Sequence, residues 1–122
     1  MITILFVDDE PDILDGIAMR LRRKRHTWRQ LFAKSGVEAL ELLARNAVDL
    51  LVTDLRMPEM DGLELLQRVG QDHPSVVRAV LSGNADEDRV LETLPVLARV
   101  LRKPCDGEQL EHLVTRIEER RS

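Results

Sequence analysis

Residues 2–11 read Ile2-Thr3-Ile4-Leu5-Phe6-Val7-Asp8-Asp9-Glu10-Pro11. The first six are apolar or β-branched with almost no polar interruption, which is the pattern of a strand covered on both faces. Three acids and a proline then end the strand. They suit a first helical turn, where negative charge meets the positive end of the dipole and the missing proline N–H costs nothing. From Ile13 the apolar period changes, with Ile13, Leu14, Ile17, Ala18 and Leu21 at helical spacing. A buried strand that runs straight into an amphipathic helix is the first half of a βαβ unit.

The same alternation continues along the chain. Residues 49–53, 76–81 and 96–101 are short, mainly apolar runs of the kind covered on both faces, and the more polar stretch 27–33 suits an edge strand. Helical stripes lie between them: Val37, Leu40 and Ala44, then Leu65, Leu66 and Val69, and lastly Leu110, Leu113, Val114 and Ile117. A further helix over 86–94 opens on acids and stops near Pro95. Strand followed by helix, repeated five times, predicts right-handed crossovers and a parallel sheet with helices on both faces, a three-layer α/β domain. In such sheets the ligand site lies beyond the carboxyl ends of the strands, where strand order reverses.

Composition narrows the class. With 122 residues, 43% apolar and 33% charged, the chain suits one globular domain over residues 1–122. A lone cysteine, Cys105, makes neither a disulfide framework nor a zinc site and is read as a small packing residue in a reducing compartment. No apolar stretch approaches the ~20 residues that span a bilayer. The start has neither a basic n-region nor a cleavage site, so no membrane contact and a cytoplasmic location are expected. The 18 Lys and Arg against 22 Asp and Glu leave a charge of −4, which argues against direct nucleic acid binding by the domain. The basic run Arg20, Arg22, Arg23, Lys24, Arg25, His26 and Arg29 is read as a solvated helix end rather than a docking site for an acidic partner. His26, His73 and His112 lack ligand spacing and read as surface residues, and Trp28 reads as edge-strand packing.

The strand ends carry the chemistry. Asp8, Asp9 and Glu10 follow the first strand, Asp54 the third, Ser82 the fourth and Lys103 the fifth. Each has an ordinary explanation taken singly: a helix cap, a turn before Met57-Pro58, a Ser-Gly turn, a surface loop. Structural needs do not predict all of them together, and parallel strands bring all of them to one edge. Carboxylates within ~4–6 Å repel and raise one another's pKa unless a cation neutralises them, and Lys103 supplies one charge only. Hard oxygen donors favour Mg²⁺, which takes one or two carboxylates and leaves room for phosphate oxygens. A metal beside a free carboxylate points to an aspartyl phosphate. Asp54, alone after the central strand, is the expected nucleophile, with Asp8 and Asp9 as paired ligands. Lys103 is expected to meet the phosphoryl oxygens and Ser82 to donate to one of them.

At these residues the chain resembles the receiver domain of two-component response regulators. The matching strings are Leu5-Phe6-Val7-Asp8-Asp9-Glu10, Thr53-Asp54-Leu55-Arg56-Met57-Pro58-Glu59-Met60-Asp61-Gly62, Leu81-Ser82-Gly83 and Lys103-Pro104. The resemblance covers essentially the whole chain. It implies a (βα)5 flavodoxin-like fold with a five-stranded sheet in order 2-1-3-4-5. Asp54 then matches the phosphoacceptor, Asp8 and Asp9 the acidic pair with Asp9 on Mg²⁺, and the Arg56 carbonyl a further metal ligand. Ser82 matches the switch hydroxyl and Lys103 the family's lysine, with Lys103-Pro104 cis. Arg56 and Asn84 match positions that flank the phosphoryl group. A sensor histidine kinase or phosphotransfer protein is the implied donor, and helix 4, strand 5 and helix 5 are the implied homodimer or output surface. The strings Leu81-Ser82-Gly83-Asn84-Ala85-Asp86 and Lys103-Pro104-Cys105-Asp106 are similar to receivers preceding HDOD or HD-type output domains, which implies an output domain C-terminal to this segment.

The sequence departs from the family at Val100, where many receivers carry an aromatic that turns inward, and at Cys105, where an aromatic is common. Ser82 and the loop into the fourth helix must then carry any switch. Two other functions compete. A receiver-like interaction module would work without phosphorylation, although the acceptor, metal and lysine positions are all filled. A small Mg²⁺-dependent phosphohydrolase of the haloacid dehalogenase type would need an Asp two residues after its nucleophile, where this chain has Arg56. No Gly-Lys-Ser or Gly-Lys-Thr loop supports a P-loop enzyme.

Overall fold

The computed structural model describes residues 1–92 and 98–121. Strands and helices alternate as β1 (Ile2–Val7), α1 (Pro11–Arg20), β2 (Trp28–Ala33), α2 (Gly36–Arg45), β3 (Leu50–Asp54), α3 (Gly62–Asp72), β4 (Val77–Ser82), α4 (Ala85–Glu92), β5 (Arg99–Arg102) and α5 (Gly107–Arg121). A short 3₁₀ turn, Arg22–Lys24, follows α1. All strands are parallel in the order β2-β1-β3-β4-β5, the flavodoxin-like topology, which reverses direction of growth between β1 and β3. Asp8 follows β1, and Asp54 ends β3, so the carboxylates meet at that switch point.

Alternation along β1 divides the core. Ile2, Ile4 and Phe6 pack with Leu14 and Ile17 of α1 and with Leu110, Leu113, Val114 and Ile117 of α5. Leu5 and Val7 face the other layer, with Ala39 and Leu43 of α2 and Leu65, Leu66 and Val69 of α3. Trp28 is buried in the first of these clusters, as its place on an edge strand suggests, and Lys24 lies 5.4 Å from its ring centroid. Lys24 also pairs with Glu111 of α5, while Arg22, Arg23, Arg25 and His26 are exposed, as a solvated helix end should be.

Three expectations need correction. The buried face of α2 is Gly36, Ala39 and Leu43, whereas Val37 is 51% exposed and Ala44 is exposed. The helix is turned because small residues let it close on the β3–α3 loop: a Cβ on Gly36 would stand 2.6 Å from Met60 Sδ. Ile13 of α1 likewise faces water, leaving Leu14, Ile17 and Leu21 to pack. β5 is the sheet's other edge, not a strand covered on both faces; Arg99, Val100 and Arg102 are exposed and only Leu101 is buried. The expected start of that strand at 96 and the expected helix end at Leu94 and Pro95 lie outside the described residues.

Candidate functional site

The carboxyl ends of β1, β3, β4 and β5 form one edge, and backbone contacts fix each side chain there. The Asp8 amide donates to the Ala33 carbonyl (3.1 Å), extending the β1–β2 ladder by one residue. The turn then closes when the Glu10 amide donates to Asp8 Oδ1 (2.9 Å). Glu10, not Asp8 or Asp9, occupies the α1 N-cap, and its side chain makes no capping bond. Capping therefore does not account for the acidic pair.

Asp54 is held from two directions. The buried Thr53 hydroxyl donates to the Asp54 carbonyl (2.9 Å), and the Gly62 amide donates to the Leu55 carbonyl (2.9 Å). A Cβ on Gly62 would sit 2.1 Å from the Asp54 carbonyl oxygen, so only glycine lets α3 begin against the loop that presents Asp54. Asp61 caps α3 by accepting from the Glu64 amide (2.9 Å). Between them Glu59 turns the loop through a left-handed conformation, φ 63°.

Lys103 reaches Asp54 from the far side. Its amide donates to the Ser82 carbonyl (2.9 Å), the Lys103–Pro104 peptide is cis, and Nζ lies 2.8 Å from Asp54 Oδ1. Burial is the largest single influence on Lys103 and opposes its charge, but the hydrogen bond to Asp54 and the fields of Asp54, Glu87 and Asp8 together outweigh it and lift its pKa.

Asp8, Asp9 and Asp54 offer carboxylate oxygens within 4.8 Å of one another. Asp54 is 9% exposed and Asp8 2%. Burial pushes the Asp8 carboxyl up to about 6; the Glu10 amide opposes this, Asp54 and Asp9 add to it, and Lys103 opposes it. Asp8 Oδ2 is buried and has no partner among the described residues. Three carboxylates against one ammonium leave a double negative charge, and a buried acceptor lacks a donor. Both features fit a hard divalent cation, which would satisfy the oxygen and relieve the repulsion.

Two expected residues stand differently. Ser82 is buried at the end of β4, yet its hydroxyl donates to the Asn84 carbonyl (3.0 Å) and not toward Asp54. Asn84 caps α4: its Oδ1 accepts from the Glu87 amide (2.9 Å) and its Nδ2 donates to Glu87 Oε1 (3.3 Å). Sequence reasoning missed Glu87, whose spacing three residues after an Asn is a helix-start signal. It also missed Thr53, which no pattern marks. Arg56 is an exposed residue of the loop after Asp54. Cys105 is buried, and burial pushes its thiol up to about 12, consistent with packing rather than redox chemistry.

Residues 4–115 match the family described as the response regulator receiver domain. Over 111 residues the chain is 39% identical to the response regulator protein PilR of Pseudomonas aeruginosa, covering 90% of this chain and 24% of that protein. It is 38% identical over 112 residues to the sensor kinase CckA of Brucella abortus, covering 88% of this chain and 12% of that one. Among solved structures, the signal receiver domain of an HD domain-containing protein from Pseudomonas fluorescens superposes with a TM-score of 0.83 at 31% identity, covering 98% of this chain and 95% of the other. The chain thus spans 24% of the length of the first curated relatives it matches. No helix among the described residues is long and apolar enough to cross a membrane.

Proposed function

This chain belongs to the response regulator receiver domain family, and on that premise we propose that it takes a phosphoryl group from a histidine kinase onto Asp54 and thereby switches its interactions. The observation that carries this reading is the contact of Lys103 Nζ with Asp54 Oδ1, 2.8 Å, beside the carboxylates of Asp8 and Asp9. In the reaction a carboxylate oxygen of Asp54 attacks phosphorus, a P–O bond forms, the P–N bond of the donor phosphohistidine breaks, and the imidazole leaves with a proton. Lys103 moves from the carboxylate to the phosphoryl oxygens, and the Ser82 hydroxyl turns to donate to one of them. Asp8, Asp9, Asp54 and the Arg56 carbonyl would hold Mg²⁺, which supplies charge neutralisation of the phosphoryl oxygens.

We take residues 1–122 as one such domain, cytoplasmic, catalysing only its own phosphoryl transfer and dephosphorylation. The kinase likeness and the short span on longer relatives support a sensor histidine kinase or phosphotransfer protein as donor and an output domain beyond the C-terminal helix. The surface of α4, β5 and α5 is the proposed homodimer contact, and neither nucleic acid nor membrane is assigned to this domain.

Intact-protein mass spectrometry after incubation with Mg²⁺ and a small acyl phosphate tests this. A single labile phosphoryl adduct is expected, absent from Asp54→Asn and from metal-free samples. A folded, Mg²⁺-binding protein that takes no adduct would instead favour an interaction module independent of phosphate. A second expectation concerns the lifetime of the adduct. Arg56 follows Asp54 by two residues and stands at the open side of the loop, where its guanidinium can pair with the phosphoryl group and obstruct water. Arg56→Ala is expected to hydrolyse several-fold faster, and an unchanged decay rate would remove Arg56 from the site.

A further inference from the structure

The loop between α1 and β2 carries more positive charge than its place in the fold explains. Arg22, Arg23 and Arg25, with Arg29 at the start of β2, are all exposed in a chain whose net charge is −4. α1 ends at Arg20 with Leu21 as its cap, and the helix dipole fades within the last turn, so the helix end accounts for Arg20 and not for the four arginines that follow. Lys24 of this loop pairs with Glu111, and Arg29 Nη2 donates to the neutral Asn46 side-chain carbonyl (3.1 Å). Among the described residues no carboxylate pairs with Arg22, Arg23, Arg25 or Arg29.

These charges stand at one end of an open strand. β2 is an outermost strand of the sheet and pairs with β1 alone. Its Ala33 carbonyl accepts from the Asp8 amide, so by the alternation of a strand Arg29 and Leu31 also turn their backbone groups toward β1. The N–H and C=O groups of Gln30 and Phe32 then point outward, where no strand pairs with them among the described residues. Leu31 and Phe32, both only half-buried, flank that row on the two faces of the sheet.

An open strand edge is matched by a partner that alternates donors and acceptors along an extended backbone, which is a peptide. We propose that the β2 edge and the basic loop before it form a docking surface for an extended acidic segment of a partner protein. The segment adds alongside β2 as a sixth strand and sets its carboxylates against Arg22, Arg23, Arg25 and Arg29. A second copy of this chain is the wrong occupant. Antiparallel pairing of two β2 edges would set the basic loop against the exposed Lys34, and parallel pairing would set it against itself. Nucleic acid offers anions but no alternating backbone to meet Gln30 and Phe32. The charges that keep two such edges apart therefore select an acidic strand. This surface lies at the amino end of β2, away from the carboxylates at the other end of the sheet, so the proposal does not depend on Asp54 as phosphoacceptor.

The probe is a short peptide of alternating Glu and Thr, titrated into the whole chain with amide chemical shifts and hydrogen exchange as signals. Binding is expected to shift the amides of the loop and of β2. Exchange should slow at Gln30 and Phe32, which gain carbonyl partners, more than at Leu31, which already faces β1. The combined Arg22→Gln, Arg23→Gln, Arg25→Gln variant should bind about tenfold more weakly. As surface changes, these substitutions should leave the unfolding midpoint close to that of wild type. Added salt should weaken the wild-type complex, and a peptide of alternating Lys and Thr should not bind. Unchanged exchange at Gln30 and Phe32, or undiminished affinity in the triple variant, overturns the proposal. A response to a short DNA duplex or to phosphatidylglycerol vesicles but not to the acidic peptide also overturns it, and assigns the loop to nucleic acid or to a membrane surface instead.

Discussion

Gly62→Ala is expected to lower the unfolding free energy by about 3 kcal/mol, the upper end of the ordinary cost of overpacking, and to suppress phosphoryl uptake by Asp54. The added Cβ would stand 2.1 Å from the Asp54 carbonyl oxygen, 3.0 Å from Leu55 Cα and 3.1 Å from the Asp54 carbonyl carbon. All three atoms are backbone, so no side chain can swing aside. Gly62 has an ordinary negative φ, and the cost comes from close approach rather than from a dihedral only glycine adopts. Relief requires α3 to retreat, which stretches the Gly62 amide to Leu55 carbonyl bond and moves the loop that presents Asp54. Gly36→Ala makes the comparison. Its new Cβ would meet the Met60 thioether, which can change rotamer, and about 1 kcal/mol is expected there. Urea unfolding and intact-mass labelling of the two variants separate the cases; a Gly62→Ala protein with wild-type midpoint and wild-type labelling would show that the loop has slack.

The second large effect is a pH dependence of the metal-free domain. Asp8 titrates at about 6 when folded and at its ordinary 3.8 when unfolded. Between those values the folded chain binds more protons than the unfolded chain, so this group's contribution falls as pH rises through the window and is fully lost above about 6. A rise of that size corresponds to about 3 kcal/mol, and water at the edge of the sheet reduces it to about 2 kcal/mol. Other carboxylates titrate in the same range. The measurement is therefore the wild-type unfolding free energy from pH 4 to pH 7 minus that of Asp8→Asn, whose amide cannot ionise. The difference should decline with pH without metal and flatten with Mg²⁺, because a cation favours the ionised carboxylate that burial disfavours. Proton competition at Asp8 also predicts Mg²⁺ affinity rising with pH up to about 6. A flat difference curve in the absence of metal would mean that Asp8 is better hydrated than its 2% exposure implies.

Much of this molecule is legible in its sequence, because the signals concerned are local. Apolar runs of strand length alternate with helical stripes, and the alternation of period fixes a parallel three-layer sheet whatever the side chains touch. The site is legible for a related reason. Once the strands are parallel, the residues that end them share an edge, so Asp8, Asp9, Asp54, Ser82 and Lys103 can be assembled from their positions alone. What the chain determines by itself is which elements form and which chemistry collects at their ends.

The tertiary structure decides orientation and exposure. α2 buries Gly36 and Ala39, not Val37, because packing rewards the face that approaches the β3–α3 loop most closely, and hydropathy does not register small size. β5 reads as covered on both faces, but it lies at the sheet's edge and leaves Val100 in water, since burial depends on whether a further element packs there. The Ser82 hydroxyl turns to the Asn84 carbonyl at the start of α4, and Asp88 of that helix meets Arg102 of β5. A rotatable hydroxyl takes its direction from acceptors on separate elements. Their relative placement, and so the state in which this edge rests, exists only once the chain has folded.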